Sequence, residues 1–174
     1  MLEKGLAMIS QIKDFEILWM QEFDKTQKVF KHIPDRALGQ AVDSAGRNLG
    51  RLAWHITITI PEMMSQTGLK LAGPHHEQPV PKSMSEIRQA YEQAGLSVLE
   101  AVKSQWTDAT LEASDAMYGQ MWKRGYTLTA LIFHQIHHRG QMTVLMRQAG
   151  LPVPGLYGPA REEWAQWGMP VPAV

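Results

Sequence analysis

Apolar positions recur with a helical period in four long stretches of this chain, separated by breaks rich in proline and glycine. The first helix is expected from about Leu6 to His32. Phe15, Leu18, Trp19, Glu22, Phe23, Gln27 and Phe30 follow its spacing on a mostly apolar face, and Pro34 ends it. The second is expected from about Asp43 to Gln66, with Leu49, Leu52, Ala53, Ile56, Ile60 and Met63 on one face. One signal inside it conflicts. Ile56-Thr57-Ile58-Thr59-Ile60 alternates and is β-branched, which by itself reads as a strand. Its helical flanks decide for helix, with a kink expected near Pro61.

Residues 67–82 hold Gly68, Gly73, Pro74, Pro79 and Pro81 and read as a loop. Ser83 then stands as an N-cap, with Glu86 placed to complete a capping box. The third helix runs to about Trp106 and points Ile87, Ala90, Tyr91, Ala94, Val98, Ala101 and Val102 inward. Residues 107–125, with Trp122, are less regular. The fourth helix is expected from about Thr127 to Gln148, where Ala149-Gly150-Leu151-Pro152 stops it. From Pro152 onward, five prolines with Trp164 and Trp167 read as an irregular strap packed by its tryptophans. The expectation is an all-α protein, a four-helix bundle forming one domain over residues 1–174.

Composition narrows the function classes. Lysine plus arginine number 17 and aspartate plus glutamate 17, so no basic surplus advertises a nucleic-acid binder. The chain has no cysteine, which excludes disulfides, thiolate metal sites and cysteine nucleophiles. Any metal must therefore be held by nitrogen and oxygen. The N-terminal stretch has charges at Glu3, Lys4, Lys13 and Asp14 and lacks the apolar core of a signal peptide. No run approaches the ~18 apolar residues that span a membrane. A cytoplasmic protein without a membrane partner is expected.

The candidate chemistry lies in the histidines. His134 and His138 are four residues apart on the fourth helix, about 6 Å along its axis, the spacing at which two imidazoles can share one metal. Taking His134 as the origin, His138, Leu131 and Leu145 lie at about 40°, 60° and 20°, which places the pair near the middle of the inward arc. Gln135, Arg139, Thr143 and Arg147 then fall on the other side. Two adjacent inward imidazoles are costly without partners, and a metal would occupy their acceptor nitrogens. The alternative is a pair bonded to buried polar groups or exposed at a bundle end.

His55, at the edge of the second helix's apolar stripe, is the candidate third ligand, and its spacing only permits that role. His137 and Gln141 are candidates to hydrogen-bond the ligands; for His137, packing against a neighbouring helix is the alternative. His32, His75 and His76 read as solvated. Gln135 follows His134 where a zinc protease of the His-Glu-x-x-His kind needs a glutamate base, which argues against such a hydrolase.

Leu52-Ala53-Trp54-His55-Ile56 is similar to the second-helix segment of DinB/YfiT-like proteins. His134-Gln135-Ile136-His137-His138-Arg139-Gly140-Gln141 resembles their His-x-x-x-His-Arg-Gly-Gln signature. Arg147-Gln148-Ala149-Gly150-Leu151-Pro152-Val153-Pro154 and Tyr157-Gly158-Pro159 resemble the family's ending. The order of segments matches along nearly the whole chain. The resemblance implies a four-helix bundle, often dimeric, with one divalent metal ion held by His55, His134 and His138. Relatives in this family often carry glutamate where this chain has Gln135.

Gly140 costs a helix interior about 1 kcal/mol against alanine, which a close helix–helix approach would explain; the alternative is a tolerated defect.

Three functions follow as expectations. The first is a metal-dependent enzyme, since three histidines leave coordination positions open. The family implies transfer of a low-molecular-weight thiol to a small-molecule substrate, with Glu62 and Tyr157 as guesses for an acid or base. The second is a non-catalytic metal-binding stress-response protein. The third is a bundle whose histidines bind nothing. Three imidazoles suit zinc or nickel, with iron or copper also open.

Overall fold

The structure, a computed structural model, describes residues 9–171 and Ala173. Helix α1 spans Ile12–Lys31 and buries Phe15, Trp19, Phe23 and Phe30, while Leu18 faces solvent. Residues 1–8 lie outside the described part, so the expected start at Leu6 does too; Ile9 to Gln11 are non-helical. The cap comes from far along the chain, as the Ile12 amide donates to Asp108 Oδ1 at 2.8 Å.

Helix α2 spans Leu49–Ser65, six residues shorter at its start than the expected Asp43. Asp43 explains the difference. Its carboxylate accepts from the Ala45 and Gly46 amides at 2.9 and 2.6 Å, which closes a local turn in place of a helix. Asn48 is the N-cap and accepts from the Arg51 amide at 2.8 Å. The run Ile56–Ile60 is helical and buried throughout. Its threonine hydroxyls donate back to the carbonyls four residues earlier, Thr57 to Ala53 at 2.8 Å and Thr59 to His55 at 2.7 Å. That bonding hides the polar atoms of a β-branched stretch, and the helix continues through Pro61.

Helix α3 spans Met84–Gln105 and buries the expected face, with Ala90 half-buried. Ser83 caps the helix as expected but no capping box forms: Ser83 Oγ accepts from the Ser85 amide at 3.2 Å, and the Met84 amide donates to Asp35 Oδ1 at 2.7 Å. The close helix–helix approach expected at Gly140 occurs instead at Gly95. A Cβ there would lie 2.5 Å from the Phe23 ring, and its carbonyl accepts from Trp19 Nε1 at 2.9 Å. Gly140 is exposed, and an added Cβ would meet nothing within 4 Å.

The irregular stretch holds more order than its sequence announces. A 3-10 turn at Asp108–Glu112 precedes an antiparallel hairpin, β1 (Ser114–Met117) and β2 (Gln120–Lys123). Its turn places Tyr118 at φ 49° and Gly119 at φ 81°, the positive pair of a two-residue hairpin loop. A tyrosine at the first of these positions masks the usual Asn-Gly signal. Helix α4, Arg124–Gln148, grows directly out of β2, three residues before the expected Thr127.

Helices α1 and α2 each pack against both α3 and α4, so the order around the bundle is 1-3-2-4. The C-terminal strap is irregular apart from a 3-10 turn at Trp164–Trp167, and Leu151, Val153 and Leu156 pack it on the core while Trp164 is only half-buried. Trp167 is 66% exposed. The strap is tied by polar contacts: Lys28 Nζ donates to the Gly155 carbonyl at 2.8 Å, Glu163 accepts from the Gly155 and Ala160 amides at 3.0 Å each, and Arg147 pairs with Glu162. No helix among the described residues is long and apolar enough to cross a membrane.

Candidate metal centre

Three histidines from two helices meet on the α2–α4 seam. The ligand nitrogens of His55, His134 and His138 all lie within 4.8 Å of one another. His55 Nε2 and His134 Nε2 are 3.0 Å apart, and the three ring centroids are separated by 4.4–4.8 Å. Two imidazole lone pairs at such a distance repel unless one nitrogen carries a proton or a cation lies between them. Among the described residues the buried His134 Nδ1 has no hydrogen-bond partner, so no acceptor there fixes the Nδ1–H tautomer that leaves Nε2 free. The donor set is nitrogen alone, which suits a borderline divalent metal.

The position of the cluster differs from expectation. The buried arc of α4 runs from Leu145 through Leu131, Gln135, Met142 and Arg139 to Ile132. It is centred near Gln135, and the histidines sit on its rim: His138 is buried, His134 and His55 are half-buried, and His137 is exposed. Gln135 and Arg139, expected on the solvent side, are interior because α4 packs against α1 and α2 at once. Gln135 Nε2 donates to the Ile56 carbonyl at 2.9 Å. It thus joins the residues that follow His134 and His55 and holds the two helices in register at the cluster. Arg139 faces α1. It donates to the Glu22 carboxylate, to the Glu22 carbonyl at 2.9 Å and to Thr26 Oγ1 at 3.0 Å.

Of the two expected neighbours, Gln141 bonds a cluster histidine directly, and His137 reaches the cluster only through Gln141. His138 Nδ1 lies 2.7 Å from Gln141 Oε1, so Nδ1–H donates and Nε2 is left with its lone pair. Gln141 Nε2 lies 3.2 Å from His137 Nε2. The two guessed acid–base groups are engaged elsewhere. Glu62 accepts from Tyr118 at 2.8 Å and Gln66 at 3.0 Å. Tyr157 accepts from Arg139 and donates to Glu22, on the α1 side of α4. His32, His75 and His76 are exposed, as expected.

Electrostatics keep the cluster unprotonated. Burial, then the charges of Arg47, His138 and Arg51, push His55 down to about 4. Burial, then the neighbouring histidines and Arg47, push His134 down to about 3. Burial also lowers His138, against the raising effect of Gln141. At neutral pH all three rings are neutral, the form that binds a metal. No carboxylate contributes to any of these shifts. The sequence reading missed the two arginines, although Arg51 precedes His55 by the same four residues that separate His134 from His138.

The four-helix bundle defines a fold class, and the comparisons agree with that fold. The DinB family profile matches residues 8–169, and the chain belongs to the DinB family. It is 46% identical over 167 residues to the Bacillus subtilis protein YrdA, covering 96% of this chain and 100% of that one. The crystal structure of a DinB-like protein from Bacillus cereus superposes with a TM-score of 0.82 at 42% identity, over 86% of this chain and 99% of the other. The DinB-like protein YjoA of Bacillus subtilis shares the fold, with a TM-score of 0.63 at 17% identity over 83% of this chain and 99% of the other.

Proposed function

We propose that this chain binds one divalent metal ion through His55, His134 and His138, and that it uses the ion to transfer a low-molecular-weight thiol to a small-molecule substrate. The observation that carries the metal reading is the convergence of three neutral imidazoles, with ligand nitrogens within 4.8 Å, from positions 79 residues apart in the sequence. The rim position supports exchange of ligands with solvent, as a catalytic site requires and a closed structural site does not. When bound, the metal would supply Lewis acidity that lets a thiol bind as thiolate. The protein's own part is to present three lone pairs, to orient His138 through Gln141 and to hold α2 against α4 through Gln135. Zinc or nickel suits the donors best, with iron next.

A second reading has its own support. Glu62 and Tyr157 are both engaged elsewhere, so neither expected acid or base is free to serve the histidines. That favours a non-catalytic metal-binding role in a stress response. The family resemblance supports a homodimer, and the lack of cysteine supports a cytoplasmic location. One domain over residues 1–174 belongs to the same proposal.

The deciding experiment is elemental analysis of untagged protein purified without a nickel column, beside His138→Ala. About one divalent ion per chain, lost in the variant with helix content intact, supports the site. Full metal retention in His138→Ala would sink the ligand assignment, and no metal in the wild type after supplementation would withdraw the reading. A thiol-transfer screen of the metal-loaded protein then separates the enzyme from the metal-binding protein.

A further inference from the structure

Arg47, Arg51 and His55 follow one another at four-residue intervals into the first two turns of α2. Within the helix, Arg51 lies one turn before His55 on the same side, about 6 Å along the axis. Arg47 stands exposed just ahead of the Asn48 cap, and its charge acts on all three rings, most on His55. Neither guanidinium makes an ion pair or a side-chain hydrogen bond among the described residues. Elsewhere Arg124, Arg139 and Arg147 each hold a carboxylate. The carboxylate nearest in sequence, Asp43, is turned to the amides of its own loop.

With a divalent ion on three neutral imidazoles, this end of the seam would carry the ion's two positive charges and two guanidinium charges that no carboxylate of the described residues pairs with. Such an uncompensated field favours an anion, and guanidinium forks match oxyanions in particular. We propose that Arg47 and Arg51 form an oxyanion subsite. It would bind a small ligand whose donor atom occupies the open metal position and whose carboxylate or phosphate lies one helical turn toward the N-terminus of α2. This proposal rests on the metal reading above and adds the charge and reach of the ligand.

The probes are 3-mercaptopropionate and its uncharged counterpart 3-mercaptopropan-1-ol, titrated calorimetrically into zinc-loaded protein. The wild type should prefer the carboxylate. Arg47→Gln/Arg51→Gln should weaken 3-mercaptopropionate by about tenfold or more, leave the alcohol unchanged and keep zinc content and melting temperature at wild-type levels. Arg47→Lys/Arg51→Lys should recover part of the preference, because it restores charge without the fork. Equal affinity of the wild type for both thiols, or equal weakening of both in the glutamine variant, would overturn the subsite while zinc binding stands. A wild type that takes up no zinc overturns the metal reading and this proposal together.

Discussion

His55 and His134 set their Nε2 atoms 3.0 Å apart across the α2–α4 seam, and among the described residues no cysteine or carboxylate joins the cluster they form with His138. A cation between them would take the place of the proton or the lone-pair repulsion that the two nitrogens otherwise share, and a metal that binds only the folded chain should stabilise it. At a free metal concentration about 100 times Kd the gain is ~2.7 kcal/mol. For a chain of this size that corresponds to a rise in Tm of roughly 5–11 °C. Differential scanning fluorimetry with zinc should show this rise in the wild type and none in His134→Ala.

Acid should act on the metal-free protein through the same rings. His55 at about 4 and His134 at about 3 in the folded state both lie below the ordinary histidine value near 6.5. The unfolded chain therefore binds protons first as pH falls. The stability contributed by the neutral rings is complete above about 6.5 and is lost progressively toward pH 4. Between pH 6.5 and 5, where most carboxylates do not yet titrate, Tm should fall in the wild type. It should fall less steeply in His55→Gln/His134→Gln. Equal slopes would show that the rings are protonated in the folded state.

Gln141 should matter to metal binding without touching the metal. Its Oε1 sits 2.7 Å from His138 Nδ1 and selects the tautomer that leaves Nε2 free. Loss of such a partner lowers metal affinity by roughly 10–100-fold. Gln141→Leu should do so in a competition titration against a chromogenic chelator, with far-ultraviolet circular dichroism unchanged.

The Arg139–Glu22 pair is buried on the other face of α4, with Arg139 1% and Glu22 5% exposed. Burial raises the Glu22 carboxyl, but Lys25, Tyr157 and Arg139 outweigh it and hold the group below its ordinary value. Arg139→Met removes one of three partners of that charge, with Lys25 and Tyr157 remaining, and should cost about 1–3 kcal/mol in urea unfolding. Adding Glu22→Leu should recover much of the loss. A double variant that loses the sum of both single effects would show that the two residues are uncoupled.

Two glycines should respond in opposite directions. Gly95→Ala drives a Cβ into the Phe23 ring and should destabilise by about 1–3 kcal/mol. Gly140→Ala meets open space and should stabilise by about 0.5–1 kcal/mol. Melting temperatures of the two variants check both signs.

The amino-acid sequence alone determined the four helices, because apolar periodicity and proline, glycine and capping residues act over a few residues. Asn48 and Asp43 show the limit at that scale: both can cap, and only the turn made by Asp43 shows where α2 begins. The His134–His138 spacing was equally legible, since one helical turn brings those rings together whatever surrounds them. His55 was only permitted by its own helix, because its approach to His134 is decided by how α2 lies along α4. Tertiary packing also decided which way α4 faces. A helix wedged between two neighbours has a buried arc too wide to centre from its own pattern, and it can hide Gln135 and Arg139 when partners wait on the other helices. Arg139 finds its carboxylate 117 residues away, and a residue-by-residue reading carries no term for a contact that only the closed bundle creates.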